Sequence, residues 1–187
     1  MRFQEVSIAG AYLIRLESKR DERGSLARCW CEQEFRDHGL NPQMVQANVI
    51  TTHTRGTLRG VHFQLSPYQE AKLVRCLRGE IYDVCLDLRP GSPTYRKWHA
   101  ERLKAGDERM FYIPEGCGHG FQSLTDDTEI QYQTSASYAP SHASGVRFDD
   151  AAFNIEWPLP VTRLSEADAS WPPHKAVPLI EPLASGA

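Results

Sequence analysis

The 187-residue chain lacks most of what marks a membrane, secreted or nucleic-acid-binding protein. No stretch approaches the roughly 20 apolar residues that a bilayer-spanning helix needs. The first residues, Met1-Arg2-Phe3-Gln4-Glu5, do not form the apolar h-region of a secretory signal. Basic excess is missing too: 21 Lys+Arg stand against 24 Asp+Glu, a formal net charge of −3. That balance excludes the broad positive footprint of a general nucleic-acid binder. Only 5 cysteines occur, an odd count in a chain long enough to need no covalent staples, so no disulfide framework is expected. Cys29-Trp30-Cys31 has no second cysteine pair with which to hold a structural zinc, and its thiols are expected to be free and buried. Neither an internal repeat nor a low-complexity tract is present. The expectation is a soluble cytoplasmic protein with no membrane or nucleic-acid partner. It should fold as one domain over residues 1–187, with a core at about 20–160.

Helix signals are scarce as well. One candidate covers residues 32–38, with Gly39 as its C-terminal stop. Glycines and prolines otherwise punctuate the chain every ten residues or so, the rhythm of short strands and turns. Residues 72–88 read as a hairpin turning at Arg78-Gly79-Glu80. In its second arm Tyr82, Val84, Leu86 and Leu88 share one face, and Ile81, Asp83, Cys85 and Asp87 the other. The two acids argue that this second face is not simply core. A strong turn, Arg89-Pro90-Gly91-Ser92-Pro93, leads to strands at 95–103, 110–113 and 129–134. From Trp157 onward six prolines, the last at 178 and 182, predict a tail wrapped over the surface. Many short strands with one or two helices point to a sandwich or barrel.

Two segments carry candidate chemistry. In Leu58-Arg59-Gly60-Val61-His62-Phe63-Gln64 a histidine stands between apolar neighbours, which fits a satisfied core residue as well as a functional one. In Pro114-Glu115-Gly116-Cys117-Gly118-His119 the Pro-x-Gly-x-x-His spacing is the second half-motif of cupin barrels, where the turn aims the histidine inward. Metal-binding cupins carry His-x-His in the first half-motif. Here that stretch is His62-Phe63-Gln64, so the second histidine is missing. Zinc and iron sites usually use three or more protein ligands. No metal and no other cofactor is expected.

Arg59-Gly60-Val61-His62-Phe63-Gln64, Lys72-Leu73-Val74-Arg75, Asp83-Val84, Asp87-Leu88-Arg89 and Gly91-Ser92-Pro93-Thr94 follow one another in order. They continue through Ile113-Pro114-Glu115-Gly116, His119-Gly120-Phe121, Tyr132, Tyr138-Ala139-Pro140 and Trp157-Pro158-Leu159. Together they closely resemble the dTDP-4-dehydrorhamnose 3,5-epimerase family of nucleotide-sugar cupins. The resemblance implies an all-β cupin, a double-stranded β-helix or jelly-roll barrel. It also implies an isomerase that works without metal on a 4-keto-6-deoxy sugar carried by a nucleoside diphosphate. The C4 ketone acidifies the protons at C3 and C5, so a base removes one and leaves an enolate, and reprotonation from the opposite face inverts the centre.

By the same resemblance His62 is the base, and a histidine's ordinary pKa of about 6.5 suits that task. Asp168 is its carboxylate partner, Tyr132 the acid on the opposite face, and Lys72 the cation beside the developing enolate. Taken alone, Asp168 reads as readily as a helix cap or a solvated acid, and Lys72 as a strand-edge lysine. Arg23, Gln46, Asn48, Arg59 and His119 fall where the family contacts the nucleotide sugar, with arginine suited to a diphosphate. Tyr138 falls where an aromatic stacks on the base, and Asp83 is expected to support His62 or Lys72.

Three departures concern recognition. Arg28 stands where a glutamate is usual, Ala143 and Ala167 replace charged residues, and residues 48–57 are one residue longer than usual. The resemblance also implies a homodimer in which extended N-terminal segments cross over, so that Arg23 serves the neighbouring site. Val6, Ile8, Leu13 and Ile14 in residues 3–16 are the apolar positions in that early segment. Competing readings are epimerisation at C3 alone, a 3,4-ketoisomerase, a non-catalytic sugar-nucleotide binder and, last, a metal-dependent oxygenase.

Overall fold

The structure is a computed structural model and describes residues 1–174. In chain order the strands are β1 (Arg2–Glu5), β2 (Tyr12–Arg15), β3 (Lys19–Asp21), β4 (Gly24–Leu26), β5 (Gln46–Thr52), β6 (Leu58–Gln64) and β7 (Lys72–Arg78). They continue as β8 (Glu80–Asp87), β9 (Trp98–Lys104), β10 (Arg109–Ile113), β11 (Cys117–Ser123), β12 (Thr128–Thr134) and β13 (Ala143–Gly145). Helix α1 (Glu32–Asp37) matches the expected helix, and Gly39 ends it at φ +69. A second helix, α2 (Glu166–Ser170), lies in the tail.

The strands make a six-stranded sheet, β1-β2-β10-β7-β12-β5, and a five-stranded sheet, β13-β6-β11-β8-β9. All the strand pairings within them are antiparallel. Ile8, Leu13, Val74, Phe111, Ile113 and Ile130 meet Ile81, Cys85, Leu103, Cys117 and Phe121 in one buried cluster. This is the two-sheet jelly-roll arrangement expected of a cupin. Each fully buried side chain of this size contributes about 1.5–3 kcal/mol. Helix α1 closes the outer face of the larger sheet by setting Phe35 against Ile14, Leu73, Met110 and Tyr112. The outer face of the smaller sheet is covered by Val146, Phe153 and Trp157, which pack on Val61 and Leu86.

Three expectations are corrected. Residues 72–88 are not a hairpin, because β7 pairs with β10 and β12 while β8 pairs with β11 and β9. The chain passes from one sheet to the other at Gly79 (φ +74), where a Cβ would stand 2.4 Å from Thr125 Oγ1. Alternation is identical in both topologies, so pattern alone did not separate them. The Ile81, Asp83, Cys85, Asp87 face is fully buried, its acids included. Cys29 is exposed and Cys31 half-buried, because both precede α1 outside the sheets; the buried free thiols are Cys76, Cys85 and Cys117. The tail crosses the surface as expected as far as His174, and its remaining prolines lie outside the described residues.

Asp87 staples the turn after β8. Its Oδ1 accepts from the Arg89 backbone N–H (3.0 Å) and Nε (2.9 Å). Its Oδ2 accepts from Arg89 Nη2 (2.8 Å), Ser92 Oγ (2.5 Å) and Thr94 Oγ1 (2.6 Å). Burial pushes this carboxyl up, but the bonds from Arg89, Ser92 and Thr94 outweigh burial and hold it at about 2. A depressed pKa stabilises the fold above the unfolded value and loses that effect as pH falls through the folded one. Stability should therefore drop by about 2 kcal/mol between roughly pH 4 and pH 2. Asp87→Ala should lower stability near neutrality by about 3 kcal/mol or more. It should also flatten the acid dependence, as read by urea unfolding across that pH range.

Candidate active site

Three neighbouring strands set out the inner surface in rows. Lys72, Thr134 and Gln46 are in register across β7, β12 and β5; next come Val74, Tyr132 and Asn48, then Cys76, Ile130 and Ile50. Successive inward positions lie two residues apart, so each strand runs from polar to apolar toward the closed end. Opposite, β6 and β11 bring His62 and His119 into register. The polar end opens into a cavity of about 930 Å³ walled by both sheets, the Tyr138 loop and the tail.

His62 reaches this cavity because β6 and β11 approach closely at two glycines. A Cβ on Gly60 would stand 2.5 Å from Gly120 Cα and 2.7 Å from the His119 carbonyl oxygen, and Gly60 has φ +116. Only glycine suits both the dihedral and the distance. Gly60→Ala should therefore destabilise by about 3 kcal/mol or more, a fall in Tm of roughly 6–12 °C. Gly106→Ala, at φ +81 but with nothing within 4 Å, should show only the dihedral penalty of about 1–2 kcal/mol. Thermal unfolding of both variants separates close approach from dihedral strain.

Asp168 arrives from 106 positions away. Ser165 caps α2 by accepting from the Asp168 N–H at 3.0 Å, and the Asp168 carboxylate turns back to His62. His62 Nε2 and Asp168 Oδ1 are 2.5 Å apart, and Oδ2 accepts from the Gly60 N–H at 3.3 Å. Asp168 is nearly fully buried, while the His62 side chain is about half open to the cavity. Burial raises the Asp168 pKa, but bonding and attraction to His62 are stronger and leave it lowered, so the carboxylate form is held. Trp171, after α2, presses on Gly145 and presents its edge to His62 at 6.5 Å between ring centroids.

Lys72 is bonded to the Glu70 carboxylate, both side chains being nearly buried. His119 Nε2 pairs with Asp83 Oδ1 at 2.7 Å. Burial pushes Asp83 up against the pull of that histidine, and its other oxygen has no partner among the described residues. Asp83 therefore supports His119, not His62 or Lys72 as the sequence reading has it, because its strand β8 adjoins β11. Tyr132 has its pKa raised, chiefly by burial and next by the charge of Glu70. Arg59 donates from Nε to Thr52 Oγ1 (3.3 Å) and from Nη2 to the Thr51 carbonyl (3.4 Å). Asn48 leaves its Nδ2 donor without a partner in the wall.

Of the residues proposed from sequence, His62, Asp168, Tyr132, Lys72, Gln46, Asn48, Arg59, His119 and Tyr138 all line this one cavity. Arg23 does not. It sits in the β3–β4 hairpin, which pairs with neither sheet, and its exposed guanidinium holds Asp21 at 2.6 Å. Within this chain β1 and β2 extend the larger sheet through β10. Ala143 and Ala167 line the cavity as small apolar positions. Sequence reasoning missed Glu70, Arg163 and Trp171. The available signals were an acid two residues before Lys72 and the Ser165-x-x-Asp168 capping pattern, which announces a helix at the end of the tail.

A jelly-roll interior that sets a His–Asp dyad against one sheet and a half-buried tyrosine with a buried lysine on the other has the layout of a cupin-type sugar epimerase. Comparison with known proteins agrees. The sequence model for dTDP-4-dehydrorhamnose 3,5-epimerase matches residues 5–176. The chain is 42% identical over 173 residues to the dTDP-4-dehydrorhamnose 3,5-epimerase of Sinorhizobium fredii, covering 92% of this chain and 89% of that one. It superposes on the crystal structure of the Elizabethkingia anophelis dTDP-4-dehydrorhamnose 3,5-epimerase with a TM-score of 0.89 at 34% identity, over 92% and 95% of the two chains. It also superposes on ChmJ, a 3'-monoepimerase from Streptomyces bikiniensis solved in complex with dTDP-quinovose, with a TM-score of 0.81 at 34% identity, over 89% and 85%. The chain belongs to the dTDP-4-dehydrorhamnose 3,5-epimerase family and is an isomerase.

Proposed function

We propose that the protein epimerises a nucleoside-diphosphate 4-keto-6-deoxyhexose at C3, C5 or both, through an enolate. The observation that carries this reading is the convergence of a base, an acid and a cation on one cavity from three different parts of the chain. His62, held by Asp168, takes the proton through its other ring nitrogen, and Asp168 stabilises the imidazolium that forms. Lys72 faces the C4 oxygen as negative charge develops there. Tyr132, on the opposite sheet, returns a proton from the other face as a phenol, and burial pushes its pKa further above neutrality. No co-substrate is consumed, since one proton leaves and one returns.

Binding follows from charge. Arg59 and Arg163 line the cavity without a carboxylate partner among the described residues, which suits a diphosphate. Gln46 Oε1 accepts from the Tyr138 N–H at 3.1 Å and so fixes the loop that offers the exposed Tyr138 ring for base stacking. Among the described residues no cluster of three His, Cys, Asp or Glu side chains is placed to hold a metal. Gln64, where metal-binding cupins have a histidine, is bonded to Glu70, Tyr68, Ser137 and Ala139 instead. No helix among the described residues is long and apolar enough to cross a membrane, and we place the enzyme in the cytoplasm.

We also read the active form as a homodimer. Edge strand β5 exposes Val49, with Val45 just before it, and the detached β3–β4 hairpin exposes Leu26. A partner covering these would bring Arg23 to a neighbouring cavity.

Purified protein in deuterium oxide should wash deuterium into C3, C5 or both of dTDP-4-keto-6-deoxyglucose, read by NMR. Exchange at C3 alone would define a 3-epimerase, a 3-keto product would define a ketoisomerase, and no exchange at either carbon would refute the reading. Removing the donor in Lys72→Ala should lower kcat about 10²–10³-fold. Tyr132→Phe should slow inversion more than it slows exchange on the His62 side.

A further inference from the structure

We propose that Glu70 is a positioning residue for this reaction: its carboxylate anchors Lys72 and sets the charge felt by Tyr132. The inference rests on the epimerase reading, in which Lys72 and Tyr132 act on the sugar, and adds a residue that neither motif of the chain contains.

Glu70 stands in the loop before β7, and its side chain is only 9% exposed. Oε1 accepts from Lys72 Nζ and Oε2 from Gln64 Nε2. Gln64 is itself immobilised, since the same Nε2 donates to the Tyr68 carbonyl (2.8 Å) and the Ser137 carbonyl (3.2 Å) while Oε1 accepts from the Ala139 N–H (2.6 Å). The carboxylate is thus clamped between β6, the start of β7 and the loop that carries Tyr138. Lys72 has no other hydrogen-bond or ion-pair partner among the described residues. A lysine stem has several rotatable bonds, so a single fixed anchor decides where its ammonium points.

The second effect is electrostatic. A fixed carboxylate on the wall of the same cavity opposes formation of a phenolate on a half-buried tyrosine. After burial itself, Glu70 is the strongest influence raising the Tyr132 pKa, followed by Tyr138. The other charged or titratable side chains on this cavity are His62 and Arg59 on β6, His119 on β11, and Arg163 and Asp168 from the tail. The cations among them favour phenolate, and Glu70 opposes them from the side nearest Lys72. The carboxylate therefore favours a neutral Tyr132, able to donate, beside an ammonium aimed at the enolate oxygen.

The test compares wild type with Glu70→Gln, which preserves shape and an acceptor for Lys72 but removes the charge. Tyrosine labelled with ¹³C at Cζ lets NMR follow Tyr132 without substrate, its resonance assigned with Tyr132→Phe. In Glu70→Gln the Tyr132 midpoint should move to lower pH, the alkaline limb of kcat should move with it, and KM should change little. Glu70→Asp keeps the charge but shortens the reach. It should leave the midpoint near wild type while kcat falls roughly 10- to 100-fold from misplacement of Lys72. A Tyr132 midpoint unmoved in Glu70→Gln, or kcat within twofold of wild type in Glu70→Asp, would overturn the proposal. If Glu70→Gln does not fold, the Glu70→Asp arm decides alone. Failure of the wild type to exchange C3 or C5 protons would instead refute the epimerase reading, and the substrate-free titration separates the two failures.

Discussion

The register of β7, β12 and β5 is the constraint on which the rest depends. Three strands locked side by side place Lys72, Thr134 and Gln46 in one row, Val74, Tyr132 and Asn48 in the next, and Cys76, Ile130 and Ile50 behind them. A slip of one residue on any strand would turn its entire inner set to the other face. The apolar row packs against Cys85 and Phe121 and pins the register. Polar residues two and four positions further along have no freedom to choose another place. The hydrophobic core thus positions the chemistry, and the cavity begins where the apolar rows stop.

Charge inside that cavity is sorted by whether it has a partner. His62 with Asp168, Lys72 with Glu70, and His119 with Asp83 each form a pair. Pairing reduces the penalty of taking charge out of water and fixes each side chain in one orientation. Arg59 and Arg163 are left without carboxylates among the described residues, and Asn48 keeps an unused donor. These titratable groups are thus paired within the protein, whereas the two guanidiniums suit an anion. An overall charge of −3 is no obstacle to a diphosphate ligand, because two local guanidiniums in a confined cavity outweigh a diffuse, screened surface charge.

Much of this was legible before any coordinates. Gly-Val-His-Phe in β6, Pro-x-Gly-x-x-His leading into β11 and the ordered motifs around them carried a family resemblance, and that resemblance implied the jelly roll and nine residues that line one cavity. What pattern reading lost were facts of topology. Lys72 to Leu88 alternates as a hairpin would, yet Gly79 sends its halves to different sheets, and so Asp83 was expected beside His62 or Lys72 when it pairs with His119. Arg23 carries no local mark of lying on a detached hairpin, because a three-residue strand looks the same paired to a sheet or free of one. Glu70 belongs to none of the motifs that the sequence displays. Its importance comes from being buried against Lys72 and Gln64, which sequence spacing does not convey.

The His62–Asp168 dyad depends on the last described element of the chain. His62 lies on a central strand of the smaller sheet, but its partner Asp168 rides on a five-residue helix held by the Ser165 cap, by Trp171 against Gly145 and by the dyad bond. A helix of that length has little stability of its own and persists through its docking. Undocking α2 would leave both sheets paired while removing the carboxylate that orients the imidazole. Local opening of this kind requires far less free energy than global unfolding. Folding stability and the integrity of the dyad are therefore separate quantities here. The Asp87 turn and the inter-sheet core govern the first, and the contact of one terminal turn with β6 and β13 governs the second.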